Sequence, residues 1–278
     1  MRLLEITSIQ RGCVYDGHGV RTTIFLKGCP FSCPWCCNPE TQKGSGDFFV
    51  DNGRCLRLTG ISSPLCDGCE RNGGQRPLSS CPVGVCTPTT LTAMDVRKLA
   101  QEVLQDKSLF ISSGGGITLS GGEPLLQAKE LIPFLDIIRQ EGVSIAMETT
   151  LYDKGMDRVK LLLPFIDEWI VDLKLQKENY REDYLGIMRR NLEILRASAK
   201  DICFRLVYVE SLKVDEALTA LASLEVNTLE LIKCHGLSQS KYQKLGMDFK
   251  DYTPSEEAYQ KFLEALNANN IKTTQLSV

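Results

Sequence analysis

The sequence predicts an α/β protein, a partial (βα)6 parallel barrel carrying one small cysteine-rich insert. Three observations predict it. Beyond residue 90, short runs rich in Val, Ile and Thr alternate with longer stretches of helical periodicity, the rhythm of successive β-α units. A chain of 278 residues that is 43% hydrophobic can bury one large core, and α/β barrels of this size are commonly a single domain. Ten of the twelve cysteines fall between Cys13 and Cys86, which confines any thiol chemistry to the first third of the chain.

The elements follow in order. A strand over 22–27 leads into a loop bearing Cys29, Cys33 and Cys36. A helix is expected from Thr92, where Thr92 and Asp95 form a capping-box pattern ahead of Val96, Leu99, Ala100, Val103 and Leu104. Strands then read over 117–120, 143–148, 168–173, 202–209 and 228–233, with helices around 128–141, 156–163, 187–199, 214–224 and 254–268. The barrel thus comprises residues 1–43 and 91–278. Between Thr41 and Thr90 the pattern changes to Gly, Ser, Pro and Cys. A structureless stretch of that length inside a compact domain needs staples. Cys55, Cys66, Cys69, Cys81 and Cys86 supply them, so residues 44–90 read as a metal-held insert.

The net charge of -3 and the lack of a Lys/Arg-dense run give no electrostatic footprint for nucleic acid or anionic membrane. No basic segment followed by an apolar stretch opens the chain, and its apolar runs are too short to span a bilayer. A cytoplasmic location is expected, where thiols stay reduced and cysteine clusters hold metal rather than disulfides.

Cys29-Pro30-Phe31-Ser32-Cys33-Pro34-Trp35-Cys36 is the most specific motif. A four-iron cluster normally takes four thiolates; a tight loop offering three leaves one iron open, and open metal positions are where chemistry occurs. A zinc knot or three unrelated buried thiols are the competing readings. Barrel sites lie at the C-terminal strand ends, and polar residues stand at each of them. Gly121 and Gly122 lack a Cβ and let a ligand reach backbone, while Glu123 offers a carboxylate to an ammonium group. Glu148 and Thr149 end one strand, Asp172 and Lys174 the next. Arg205 shares a strand face with Cys203 and Val207, where it needs an anionic partner, either a structural carboxylate or a substrate. His235 follows the last of these strands and could bond a ribose or carry a proton. His18 sits in a glycine-loosened loop expected to line the approach to the cluster; Cys13, Cys203 and Cys234 read as core, and Cys37 as a buried thiol.

Taken together, the motifs resemble the radical S-adenosylmethionine family, and within it the activating enzymes of glycyl radical enzymes. The resemblance rests on Asp16-Gly17-His18-Gly19-Val20-Arg21, on Thr22 to Cys29, on Cys36-Cys37-Asn38-Pro39-Glu40, on Ser120 to Pro124, on Asp172-Leu173-Lys174, and on Arg205, His235, Lys241, Leu245 and Gly246 in family order. It implies that Cys29, Cys33 and Cys36 hold a 4Fe-4S cluster whose open iron chelates S-adenosylmethionine. It further implies that the Gly121 to Glu123 turn binds the methionine amino group, and that Trp35, Lys174, Arg205 and His235 contact the rest. Glu148, Thr149 and Asp172 fall where the family can place a monovalent cation, and Asp16 where the partner's glycine loop could be met. The implied reaction is reductive cleavage of S-adenosylmethionine and removal of a hydrogen from a glycine of a partner glycyl radical enzyme, fed by a flavodoxin- or ferredoxin-type reductant. Two rivals are an enzyme acting directly on a small molecule or peptide, and an iron-sulfur electron carrier.

Three departures stand out: histidine at 18 where proline is usual, cysteine at 37 where histidine is usual, and five insert cysteines where many relatives carry eight. Five suffice for one ferredoxin-like auxiliary 4Fe-4S cluster on Cys55, Cys66, Cys69 and Cys81, with Pro82 after the last ligand. Cys66, Cys69, Cys81 and Cys86 form a competing set whose spacing suits zinc.

Overall fold

The computed structural model describes residues 3–44, 46–91, 94–176 and 183–276. Strand β1 (Leu3–Leu4) is followed by β2 (Ile6–Cys13), which turns back through residues 14–20 into β3 (Arg21–Leu26). The cysteine-rich segment contributes β4 (Phe48–Val50) and β5 (Cys86–Pro88), which pair antiparallel at its two ends; between them lie short 3-10 turns. Then come β6 (Met94–Asp95), α1 (Val96–Val103), α2 (Lys107–Ser113), β7 (Gly116–Gly121), α3 (Ala128–Gln140), β8 (Ser144–Thr149), α4 (Asp157–Leu162) and β9 (Glu168–Asp172). The chain continues through α5 (Tyr184–Ala197), β10 (Asp201–Tyr208), α6 (Val214–Ser223), β11 (Thr228–Lys233), α7 (Gln239–Leu245), α8 (Glu256–Ala268) and β12 (Lys272–Leu276).

One eight-stranded sheet runs in the order β12-β11-β10-β9-β8-β7-β3-β2. All its neighbours are parallel except β2, which lies antiparallel on β3. The six expected β-α units are therefore present, closed at one edge by β12 and at the other by β2, as a partial barrel. Alternation along each strand explains the two faces. Ile117, Leu119, Ile145, Met147, Trp169, Val171 and Leu206 are buried in the core, while Thr118, Ser120, Glu148, Asp172 and Arg205 occupy the opposite registers. Full burial of an aromatic the size of Trp169 stabilises by about 3 kcal/mol.

Helix α1 begins at Val96, with the Asp95 carboxylate accepting from the Arg97 N–H at 2.8 Å. Asp95 is thus itself the N-cap, one turn later than expected; Thr92 lies outside the described residues. Lys27, at the end of the first barrel strand, is 2% exposed. Its Nζ donates to the Glu40 carbonyl at 2.6 Å and to Thr89 Oγ1 at 2.7 Å, and the Thr89 N–H donates to the Asp47 carbonyl at 3.0 Å. One buried cation thereby pins both stems of the cysteine-rich segment. Among the described residues, no helix is long and apolar enough to cross a membrane.

Candidate active site

The loop after β3 is zipped at its base. Gly28 N–H donates to the Thr41 carbonyl at 2.7 Å, Cys29 N–H to Gln42 at 3.0 Å, and the Gln42 side-chain amide to the Cys33 carbonyl at 3.0 Å. The β7 turn is stacked on this base, with Gly122 N–H donating to Leu26 and Glu123 N–H to Gly28, both at 2.8 Å. A Cβ on Gly122 would stand 2.1 Å from the Gly28 carbonyl oxygen, so only glycine lets the two loops meet.

Over this junction opens a cavity of about 200 Å³. Cys29, Cys33 and Cys36 line it together with Trp35, Gly121, Gly122, Glu148, Thr149, Asp172, Lys174, Arg205 and His235. Five strand ends, those of β7 to β11, and the cysteine loop after β3 thus converge on one space. Trp35 is 8% exposed and meets the Tyr252 ring edge-on at 5.6 Å. Burial pushes the Cys29 thiol far above its ordinary range and Cys36 to about 11, while for Cys33 the nearby Lys174 offsets part of the rise. Neutral thiols lining such a cavity are what a bound metal would convert to thiolates.

The charged residues are already organised. Lys174 Nζ bonds Asp172 Oδ2. Burial alone would lower the ammonium, but Asp172, with Cys33 and Cys36 nearby, raises it well above the usual lysine range. Asp172 Oδ1 is buried and has no hydrogen-bond partner. Arg205 Nη1 reaches Glu148 at 3.1 Å, Nη2 reaches Glu230 at 2.8 Å, and Nη2 also bonds the Tyr15 carbonyl. Ser120 donates to Glu148 at 2.6 Å. Burial would raise Glu148, yet Arg205, Ser120 and Lys174 outweigh it and hold the carboxyl below its usual range.

Several expectations need correction. The Glu123 side chain does not line the cavity; it is fully buried and accepts from Thr149 Oγ1 (2.6 Å), Thr150 N–H (2.9 Å), Thr150 Oγ1 (2.6 Å) and Leu125 N–H (3.2 Å). It ties β7 to the end of β8, and burial keeps its carboxyl raised despite those donors. Asp16 also lies off the cavity wall, accepting from Thr23 Oγ1 at 2.6 Å. The reason is topological: β2 is antiparallel to β3, so the 14–20 loop enters from the N-terminal strand ends. His18 lies at that end too, beside Gly114, with its N–H on Glu168. Cys37 is exposed and lines the cavity, as does buried Cys234. Cys203 is only partly buried and faces the N-terminal end beside His18. Ser120 and Glu230 were missed as site residues; both lie on the inward register of their strands, which alternation could have revealed.

Cys55, Cys66, Cys69, Cys81 and Cys86 line a second cavity of about 340 Å³, with Arg57, Arg71 and Arg76 also in its wall. Burial alone would raise the Cys81 thiol, but the backbone amides of Val85 and Val83, the Cys86 side chain and the Gly84 amide together outweigh it and lower its pKa. Among the described residues, no three His, Cys, Asp or Glu side chains converge as the ligands of one ion. The five thiols instead surround a hollow.

A family model described as "4Fe-4S single cluster domain" matches residues 15–194. The chain is 32% identical over 251 residues to Pyruvate formate-lyase 2-activating enzyme of Escherichia coli (strain K12), covering 87% of this chain and 81% of the relative. It is 30% identical over 308 residues to Benzylsuccinate synthase activating enzyme of Thauera aromatica, covering 99% and 93%. Identity to (2S)-3-sulfopropanediol dehydratase activating enzyme of Klebsiella oxytoca is 29% over 298 residues, covering 94% and 92%. Similarity of this extent, running through the cysteine loop and every strand that feeds its cavity, makes the chain a member of the radical S-adenosylmethionine enzymes, in the family of glycyl radical enzyme activating enzymes.

Proposed function

We propose that the cavity over Cys29, Cys33 and Cys36 holds a four-iron cluster and S-adenosylmethionine, and that the enzyme activates a partner glycyl radical enzyme. The observation that carries this reading is convergence: three thiols, a glycine turn, a buried arginine and a partly buried lysine share one space. When bound, cluster and ligand supply a one-electron cleavage to methionine and a 5'-deoxyadenosyl radical, which takes a hydrogen atom from a glycine Cα of the partner.

The chain's own residues orient and enclose. Gly121 and Gly122 present backbone to the methionine amino group, with Glu123 holding their turn in place. Trp35 and His235 flank the nucleoside. Lys174 and Arg205, both charged, face the carboxylate and sugar side, and their carboxylate partners fix where those charges sit. The partnerless Asp172 Oδ1 is the unspent oxygen among Glu148, Thr149 and Asp172, and makes Asp172 the leading ligand for a monovalent cation.

Residues 44–90 serve in this reading as a metal-held insert in a barrel of residues 1–43 and 91–278. The five thiols line one cavity, with Pro82 directly after Cys81 as in ferredoxins, so we assign an auxiliary 4Fe-4S cluster to Cys55, Cys66, Cys69 and Cys81. An external flavodoxin- or ferredoxin-type protein would supply the electron. The test is anaerobic: reduced protein and S-adenosylmethionine, with 5'-deoxyadenosine followed by chromatography and a glycine-centred radical sought in candidate partners by electron paramagnetic resonance. No 5'-deoxyadenosine under any reductant would refute the reading. About eight irons per chain support two clusters; about four irons with one zinc would overturn the insert assignment.

A further inference from the structure

Helix α7 grips both cysteine-bearing regions at once. Its buried Tyr242 donates from the phenol to the Pro34 carbonyl at 3.1 Å, between Cys33 and Cys36. One residue earlier, Lys241 Nζ donates to Asn38 Oδ1 at 2.8 Å and to Glu40 Oε1 at 2.7 Å, just beyond Cys36. Adjacent residues of one helix therefore hold the cluster loop on either side of Cys36.

The other end of α7 belongs to the insert. Asn52 Nδ2 donates to the Gln243 carbonyl at 3.2 Å. Gly246 caps the helix with φ 69°, a conformation that favours glycine. The Arg71 guanidinium lies 2.8 Å from where a Cβ on Gly246 would stand, so the missing side chain also makes room for the insert. Both Arg71 and Gly246 line the five-cysteine cavity, and α7 packs on β4, whose Val50 pairs with Cys86. No step of the reaction uses these contacts.

We propose that α7 is a positioning strut through which the metal-loaded insert sets the cluster loop, and with it the affinity for S-adenosylmethionine. The proposal rests on the reading that Cys29, Cys33 and Cys36 hold a cluster, and holds for iron or zinc in the insert. Its physical basis is that a segment whose described residues form short 3-10 turns, one two-stranded pair and one isolated bridge takes its order from its metal. Asn52 and Arg71 transmit that order to α7, and Tyr242 and Lys241 transmit it to the loop on either side of Cys36. Spatial intermediacy alone does not prove coupling, so the test is a double-mutant cycle.

The full-length protein, reconstituted anaerobically and reduced with dithionite so that any electron relay is bypassed, is compared as wild type, Asn52→Ala/Arg71→Gln, Tyr242→Phe, and all three changes together. The readouts are S-adenosylmethionine Kd and the electron paramagnetic resonance spectrum of the reduced cluster with and without ligand, at verified metal content. We expect the insert-side pair and Tyr242→Phe each to weaken binding on the order of ten-fold and to shift the ligand-bound spectrum. The combination should be no worse than the poorer of the two, because both cut one path. Lys241→Met should behave likewise, with Lys241→Arg restoring affinity. Tyr242→Phe removes one hydroxyl from a buried ring and keeps the fold, so that arm reads even where the insert-side pair loses metal. Wild-type affinity and spectrum in the insert-side pair, or losses that multiply in the combination, would overturn the strut. A wild-type protein without a four-iron spectrum would sink the underlying reading first.

Discussion

Arg205→Met tests how the barrel interior keeps its charges. The guanidinium is 4% exposed and stands between Glu148 and Glu230. Methionine preserves the apolar stem but leaves two carboxylates facing each other without a cation. Removing one member of a buried pair costs about 3–5 kcal/mol. Glu148 and Glu230 keep 22% and 28% exposure, so water recovers part of the loss and the lower end, about 3 kcal/mol, is expected. A chain this long changes Tm by about 2 °C per kcal/mol, giving a fall of about 6 °C. The pH profile is the sharper signature. Burial raises Glu148, but Arg205, Ser120 and Lys174 hold it below its usual range. A carboxylate depressed in the folded state stabilises above its unfolded pKa, and that contribution is lost as pH falls through the folded pKa. Without Arg205 the depression shrinks. The deficit of the variant should therefore be constant from neutrality down to the ordinary carboxylate range and close only as pH falls below that range, toward the folded pKa. Melts of anaerobic protein followed by circular dichroism between pH 7.5 and 3.5 decide it. A Tm loss under about 1 °C at pH 7.5, or a gap that widens on acidification, refutes the reasoning.

Cys36→Ala should lower bound iron from about eight to about four per chain and abolish 5'-deoxyadenosine formation, while circular dichroism stays native; unchanged iron would remove Cys36 from the ligand set. Gly122→Ala must separate the β7 turn from the Gly28 carbonyl, because the added Cβ falls 2.1 Å from it. S-adenosylmethionine binding by calorimetry should weaken by at least about ten-fold, and unaltered affinity would show that this junction does not shape the cavity. Lys27→Met leaves the Glu40 carbonyl and Thr89 hydroxyl without their buried donor, a cost of about 1–3 kcal/mol that should appear as faster proteolysis within residues 44–90; protection equal to wild type would contradict the pinning role.

Strands whose apolar face is buried were legible to within a residue or two: 117–120 against Gly116–Gly121, and 228–233 against Thr228–Lys233. The edges were not. In β12, Lys-Thr-Thr-Gln-Leu carries almost no apolar signal because one flank faces solvent, and β2 interleaves charged and polar residues for the same reason. Residue types at strand ends exposed most of the cavity wall, since parallel topology delivers them to one rim. What the sequence could not convey was competition among side chains. Glu123 stands in the turn as expected, yet four donors from Thr149, Thr150 and Leu125 claim its oxygens. Asp16 was displaced by strand direction alone, and Arg205 acquired Glu230 as a partner from the neighbouring register.

The same register argument bears on ligand choice. Around the cavity, the three carboxylates of Glu148, Asp172 and Glu230 meet only two cations, Lys174 and Arg205, before any thiolate is counted. With a tetraalkylammonium salt as the electrolyte, so that no metal cation occupies Asp172, the excess is negative and enclosed, and a ligand carrying a fixed positive charge gains where a neutral analogue does not. One unpaired unit charge at about 6 Å and an effective dielectric of about 20 contributes about 3 kcal/mol before screening. Allowing for water at the mouth, about 2 kcal/mol remains, or a factor of about 30 in affinity. S-adenosylmethionine should accordingly bind about 30-fold tighter than S-adenosylhomocysteine, which lacks the sulfonium charge, and Asp172→Asn should shrink that ratio. Calorimetry at two salt concentrations checks both points, because an enclosed interaction changes little with ionic strength. Equal affinities, or a ratio unmoved by Asp172→Asn, would mean that the negative excess is spent before the ligand arrives.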